Sequence, residues 1–401
     1  MRLDPRWSSL FALLLCVSSA RAQGSARVLD LDPSIRSSGM GGASAAVFWG
    51  GDANGWANPA LLGYHSGLRF EQGRTQLIPD LSDDVTFTTD RFTIGSGWFG
   101  VSLAGRPVEG LGRIRLDYGR SDATDESGTV LGSFSSHEDV ASWGAGVSLG
   151  GFIEALARWR GAEPPALTRW VDLAFGMSTK QVDVVLAPAS MGGTASTTGN
   201  DVGLLLRATP LDNTRGATPA VPLRLDLSYG HSILNFNDAK LVFINEDLAS
   251  PTSRIFFDGF AARFAVGLPA SLRSSLGGPG WLADSFDPPL SVGLAWDHEH
   301  VQAGSDDHGG YDVTHQGAEV TALNLVTFRF GYLDDPLSDR TGATLGLGIG
   351  FQLGRFLGFR YDYGTLPQAS TSEARTPRDL QRYGYTILVD PVAFYRTVKG
   401  S

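Results

Sequence analysis

The chain has 401 residues, 18% of them charged and 10% aromatic, with 51 Gly, 20 Pro and 32 Lys plus Arg against 42 Asp plus Glu. A formal charge of −10 leaves no basic face to neutralise phosphates, which excludes nucleic acid as a partner. So much Gly without a collagen period points to a turn-rich all-β protein, and the lack of an 18-residue apolar run beyond the amino-terminal segment excludes a membrane-spanning helix.

At the amino terminus, Arg2 and Arg6 precede the apolar run from Leu10 to Val17, and Ala20 and Ala22 stand at the two positions a signal peptidase reads. Residues 1–22 therefore read as a secretory signal cleaved after Ala22. The only cysteine, Cys16, lies inside that run, behind the bulky Leu15 where a lipoprotein signal needs a small residue. Past the signal no disulfide is available, so burial and backbone pairing must hold the fold. Next come Arg36-Ser-Ser-Gly-Met-Gly-Gly-Ala43 and Gly51-Asp-Ala-Asn-Gly-Trp-Ala-Asn-Pro-Ala60. Here Gly39, Gly41 and Gly42 permit close backbone approach and positive φ. Asn58 and Pro59 fix a turn, and Asp52 and Asn54 can satisfy backbone donors.

From residue 67 onward, period-two runs dominate. Ile114, Leu116 and Tyr118 alternate with Arg113, Arg115 and Asp117; Leu223, Leu225, Leu227 and Tyr229 alternate with Arg224, Asp226 and Ser228. Val171 to Met177, Phe260 to Leu268, Val292 to Trp296, Val326 to Tyr332, Leu345 to Leu353 and Leu357 to Tyr363 follow the same scheme. The face opposite the apolar one carries Gly, Ala, Ser and Arg/Asp pairs, which suits the polar lumen of a closed barrel whose outside meets lipid. About 14 such runs of roughly 8–12 residues match tilted strands that cross a bilayer, and closure removes every free edge. The expected fold is thus a transmembrane antiparallel β-barrel. A secreted soluble β protein is the runner-up. Arg113, Arg115, Asp117, Arg224, Asp226, Arg263, Arg329, Arg360 and Asp362 are expected to face the lumen and to pair across strands. Trp98, Trp143, Trp296, Tyr332, Tyr361 and Tyr363 are candidates for interfacial girdles.

Residues 150–159 read as a short helix, and 235–254 and 268–289 as long loops. Asp297, His298, Glu299, His300, Asp306, Asp307, His308 and His315 bring metal-ligating types together, but their spacing fits no zinc motif, and a solvated acidic loop is the expectation. With no GxSxG elbow, P-loop or CxxC, the chain reads as a non-enzyme without cofactor or metal.

The pattern Arg36, Gly39 to Ala43, Asp52 to Asn54 and Asn58 to Ala60 resembles the amino-terminal plug of the long-chain fatty-acid transporter (FadL) superfamily, most closely its PorV/PorQ branch. The Gly-rich tract 344–354 between Phe328-Arg-Phe-Gly-Tyr332 and Phe359-Arg-Tyr-Asp-Tyr363 is similar to the same branch, and Phe394 and Tyr395 stand near the end where such barrels carry a terminal aromatic. The resemblance implies a plug over 23–66 with Arg36, Gly39, Met40, Gly41, Gly42, Asp52, Asn54, Asn58 and Pro59 as plug or gate residues, a barrel over 67–401, and an outer-membrane location. It implies either a passive conduit for a hydrophobic small molecule or a PorV-like accessory whose loops bind a secreted protein client. A continuous apolar pocket beside the plug would favour the conduit.

Overall fold

The computed structural model describes residues 26–50, 55–78, 82–105, 113–124, 127–188, 192–214, 219–243, 249–276, 280–303, 310–338, 340–368 and 379–399. The expected signal, Asp52, Asn54 and Asp306 to His308 lie outside them. Among the described residues seventeen strands are formed: β1 Ser66–Gln76, β2 Val85–Ser96, β3 Phe99–Ala104, β4 Arg113–Thr124, β5 Val130–Ser148, β6 Val171–Val185, β7 Thr194–Asp212, β8 Leu223–Leu234, β9 Lys240–Leu241, β10 Ser250–Pro251, β11 Ser253–Val266, β12 Leu290–Ala303, β13 Tyr311–Ala322, β14 Val326–Asp335, β15 Arg340–Leu353, β16 Leu357–Leu366 and β17 Leu380–Val389.

Antiparallel neighbours pair in sequence order, and β1 pairs with both β2 and β17, so the sheet closes on itself. β3 and β4 share one position in the ring: each pairs with β2 and with β5. On β2, Arg91 is opposite Ala104 and the adjacent Asp90 is opposite Arg113, so the ladder runs on without a skipped rung. Counting β3 and β4 as one stave, and leaving aside the separate β9–β10 pair, the ring has fourteen staves. The helix expected over 150–159 spans Leu149–Trp159, and the tract 268–289 holds two short helices, Ala270–Ser275 and Gly280–Ser285. Phe394 and Tyr395 sit in a helix, Pro391–Lys399, rather than on the last strand.

The wall has two bands with opposite polarity. In the first, toward the end where β1 starts and β17 stops, apolar side chains point out: Phe328, Phe330 and Ile349 are each about half exposed, at 51%, 53% and 51%. Their strand neighbours Arg329, Thr327 and Gly348 are buried inside. In the second band, at the other end, the inside is apolar. Ile114, Leu116, Val140, Val182 and Val184 form one buried cluster with Val28 and Trp56, while Ile255, Phe257 and Val301 form another. The outward positions there are polar, as Gln181 and Asp183 on β6 and Asp312 on β13 illustrate.

This inversion corrects the expectation for β4. Ile114 and Leu116 are buried at 0% and 3% and face in, so Arg115 and Asp117 face out, where Arg115 pairs with Asp139 of β5. Outside the bilayer the outer surface is wet, and the apolar residues of an alternating strand then gain by turning inward. The side chain of Arg113 lies outside the description. Arg224, Asp226, Arg263, Arg329, Arg360 and Asp362 face in and form ion pairs there. Outward Trp143, Trp296 and Tyr332 stand close to where the polarity changes: Trp296 stacks at 6.3 Å on the outward His298 two residues further along.

Candidate functional site

Residues 26–50 and 55–65 run along the inner face of the wall, and wall carboxylates and glycines hold them there. Arg36, in a single helical turn capped by Ser34, is 4% exposed. Its Nε and Nη2 each donate at 2.8 Å to Glu319 of β13, and Nη1 donates to the Trp49 carbonyl at 2.7 Å. Glu319 also accepts from Arg329 Nε at 2.8 Å, and Arg329 Nη1 donates to Asp362 at 2.7 Å. Asp362 accepts in turn from Arg360 Nε at 2.6 Å, and Arg360 Nη1 donates to the Gly50 carbonyl at 2.6 Å. Three guanidinium groups and two carboxylates thus form one chain, buried except at its Arg360 end, that begins and ends on the segment. Bidentate, charge-assisted contacts of this kind are among the strongest polar contacts a protein makes.

The Gly39-Met-Gly-Gly42 turn lies flat on β13, β14 and β15. Gly41 has φ +69°, and a Cβ there would come within 2.6 Å of the carbonyl oxygens of both Tyr332 and Gln316. The facing Gly331 is just as constrained, since its Cβ would lie 2.2 Å from the Gly41 nitrogen. Backbone therefore meets backbone, with Met40 buried between. Further along, Asn58 caps the 3₁₀ turn Pro59–Tyr64 by accepting from Ala60 N at 3.0 Å, with Pro59 as its first residue, and donates to the carbonyls of Ala45 at 2.8 Å and Leu204 at 3.1 Å. Of the nine expected segment residues, the seven that are described all touch the wall or brace the segment.

Several residues of the site were not assigned to it in the sequence reading. Asp297 of β12 accepts from Ser44 N at 2.6 Å and Ala45 N at 2.8 Å. His315 of β13 bridges Gly41 O at 2.7 Å and Glu299 at 2.8 Å, a polar clamp between segment and wall. No group of three metal-ligating side chains occurs among the described residues. Lys180 pairs with Asp201 at 3.0 Å and stands 3.9 Å above the Trp56 ring. Glu319, His315 and Asp297 share the inward parity of their strands, and that parity was the one signal that could have found them.

Between residues 27–44 of the segment and the second band of the wall lies a cavity with about 130 Å³ of room for the centres of water-sized molecules. That is roughly ten times what one water needs. Its lining is mainly apolar, with Leu29, Leu31, Phe87, Phe257, Val313 and Leu333 among the contributors. Polar groups gather at a few points: Arg27 and Asp30 on the segment, and Glu299, Arg340 and Arg382 on the wall. Arg382 donates to Thr75, Ser38 and the Asp32 carbonyl. Asp30 keeps 24% of its surface open, yet burial pushes its carboxyl up to about 7, against the lowering pull of Arg27. Tyr64, at the far end of the segment, is pushed up by burial and by Asp172. The lining meets the description of a small-molecule site, an apolar concavity with a few convergent polar groups.

Fold and site together define a closed β-barrel of the membrane type, with an apolar cavity between its wall and an internal amino-terminal segment. No protein-family model matches the chain, and no curated protein does. Among solved structures, the chain is similar to the toluene transporter TodX of Pseudomonas putida at 11% identity and TM-score 0.36, over 88% of this chain and 96% of that one. It is similar to the toluene transporter TbuX of Ralstonia pickettii at 11% identity and TM-score 0.37, over 88% and 96%. A Pseudomonas aeruginosa FadL homologue gives 11% and 0.35 over 89% and 98%.

Proposed function

We propose that the protein is an outer-membrane barrel of the FadL type that takes a hydrophobic small molecule into the cavity beside its amino-terminal segment, and that this segment is the plug of the barrel. The cavity itself carries the reading. A sealed scaffold has no need of an apolar space between segment and wall, whereas a conduit needs a place where a lipophilic molecule leaves water. The outward apolar band supports a place in the bilayer, because soluble chains rarely leave so wide an apolar surface bare. Within the superfamily, the PorV/PorQ branch rests on Arg36, Gly39 to Ala43 and Asn58 to Ala60, and the passage of solute remains part of the proposal.

Two measurements test it. Purified full-length protein should bind a lipophilic fluorophore such as N-phenyl-1-naphthylamine, and Val313→Trp, which fills the cavity from the wall, should weaken binding on the order of tenfold. Equal binding by both proteins would remove the cavity from the mechanism. Deleting residues 27–62 should turn a closed barrel into an ion-conducting pore in planar bilayers. A deletion variant that stays silent would overturn the plug and favour a scaffold for a secreted protein client.

A further inference from the structure

The helix Leu149–Trp159 presents its apolar side away from the protein. Leu149, Phe152, Ile153 and Leu156 recur at helical spacing and so share one stripe, yet Phe152 and Ile153 are each 41% exposed and Trp159 is 81% exposed. The opposite side is the docked one. Gly150 N donates to Asp172 of β6 at 2.7 Å, and Glu154 accepts from Thr168 at 3.2 Å. Ser148, the cap of the helix, donates to the same Asp172 at 2.6 Å. An amphipathic helix of a soluble domain would be turned the other way.

Its surroundings point to what covers the stripe. The helix leaves β5 and lies beside β6 at the terminal end of the first band, where outward Val171 and Phe175 begin the apolar surface of the wall. The Trp98 ring, on the turn before β3, packs against Phe152 at 5.2 Å and joins the two surfaces. Arg158, which pairs with Glu154 one turn back at 2.8 Å, and Arg160 and Arg169 beyond the helix are exposed along the same stretch. The carboxy-terminal helix Pro391–Lys399 repeats the arrangement at the same end, with Val392, Tyr395 and Val398 exposed and Arg396 and Lys399 in its last turn.

We infer that Leu149–Trp159 is an interfacial helix that lies in the headgroup layer of the membrane, with its apolar stripe in the acyl boundary and the arginines at and beyond its end beside anionic lipid headgroups. The inference rests on the membrane reading above. A phospholipid surface accounts for all three observations at once: the outward stripe, its continuity with the outward band, and a basic, Trp-rich border. The helix would then fix how deep the barrel sits and prevent it from tilting toward that rim.

The experiment uses the full-length protein, free of cysteine once Cys16 is removed with the signal or replaced by Ser, in vesicles of phosphatidylcholine and phosphatidylglycerol. Ile153→Cys, Ile349→Cys and Asp183→Cys variants carry one environment-sensitive fluorophore each, and lipids spin-labelled at shallow or deep positions act as quenchers. A label at 153 should be quenched by the shallow lipid at least about threefold more than one at 183, and a label at 349 most by the deep lipid. Quenching at 349 but not at 153 would overturn the interfacial helix and leave the membrane reading standing. No quenching at either would overturn both. Cross-linking between copies through Cys at 153, together with protection from both lipids, would replace the bilayer with a second copy of the chain.

Discussion

The two bands of the wall are built from the same strands and from the same alternation, yet they are inside out with respect to each other. On β6, Phe175 and Met177 point outward in the first band, and four to six residues later Gln181 and Asp183 do. What changes is the medium outside. Against lipid the apolar face turns outward and the lumen keeps the charges; beyond the bilayer the outside is wet, and the apolar face turns in to pack on Val28, Trp56 and the cavity. Alternation therefore separates two faces, and the surroundings decide which of them is inside.

The comparison can be broken most forcefully at the ion chain of the first band. Replacing Glu319 by Leu leaves Arg36 and Arg329 buried without their shared carboxylate and should cost on the order of 3–5 kcal/mol. It should free residues 36–50 to exchange amide hydrogens while the strands stay protected, and an unchanged exchange pattern would show that the glycine contacts alone hold the segment. The bands themselves are contrasted by placing Arg at two outward positions. Ile349→Arg should lower barrel stability by about 2–4 kcal/mol in bilayers, provided that it lies near the midplane. Asp183→Arg, outward in the second band, should stay within roughly 0.5 kcal/mol. Equal losses in heat-modifiable electrophoretic mobility would abolish the distinction.

A smaller effect sharpens the second band through Asp30. Its folded carboxyl titrates near 7, above the ordinary carboxylate range, so the unfolded chain gives up its proton first. The stability of its seat is full below the ordinary range and is lost as pH rises through about 7. Docking of residues 27–44 should weaken by about 1–3 kcal/mol between pH 5 and pH 8, read from amide exchange, and Asp30→Asn should flatten that dependence. A segment equally protected at both pH values would place Asp30 outside the balance.

The barrel was legible because its strands are long enough and regular enough for parity to survive in the sequence: β14, β15 and β16 could be assigned face by face. Arg224, Asp226, Arg263, Arg329, Arg360 and Asp362 were placed by the same parity, and in the structure they pair with one another inside the wall. Arg115 and Asp117 were assigned to the wrong face because the rule tacitly assumed lipid along the whole strand, and β4 faces water. Glu319 escaped notice for a different reason. Its role comes from Arg36, 283 residues away, and no local pattern records a contact across the lumen. The Gly39 to Gly42 turn was recognisable because a backbone-to-backbone approach tolerates so few residue types, whereas the cavity, made by what the segment leaves unfilled, had no residues of its own to announce it.

Ring closure has a consequence for the order of assembly. β1 can make its second ladder only with β17, and most of the carboxylate contacts of the segment that precedes β1 are to Asp297 on β12 and Glu319 on β13, far along the chain. Contacts of such sequence separation form late, since the loop entropy must be overcome before they return any stabilisation. The internal segment therefore gains these contacts only once strands from the far end of the chain are in place. Seating of the lumen and closing of the wall are then both late events, drawn from the two ends of the chain.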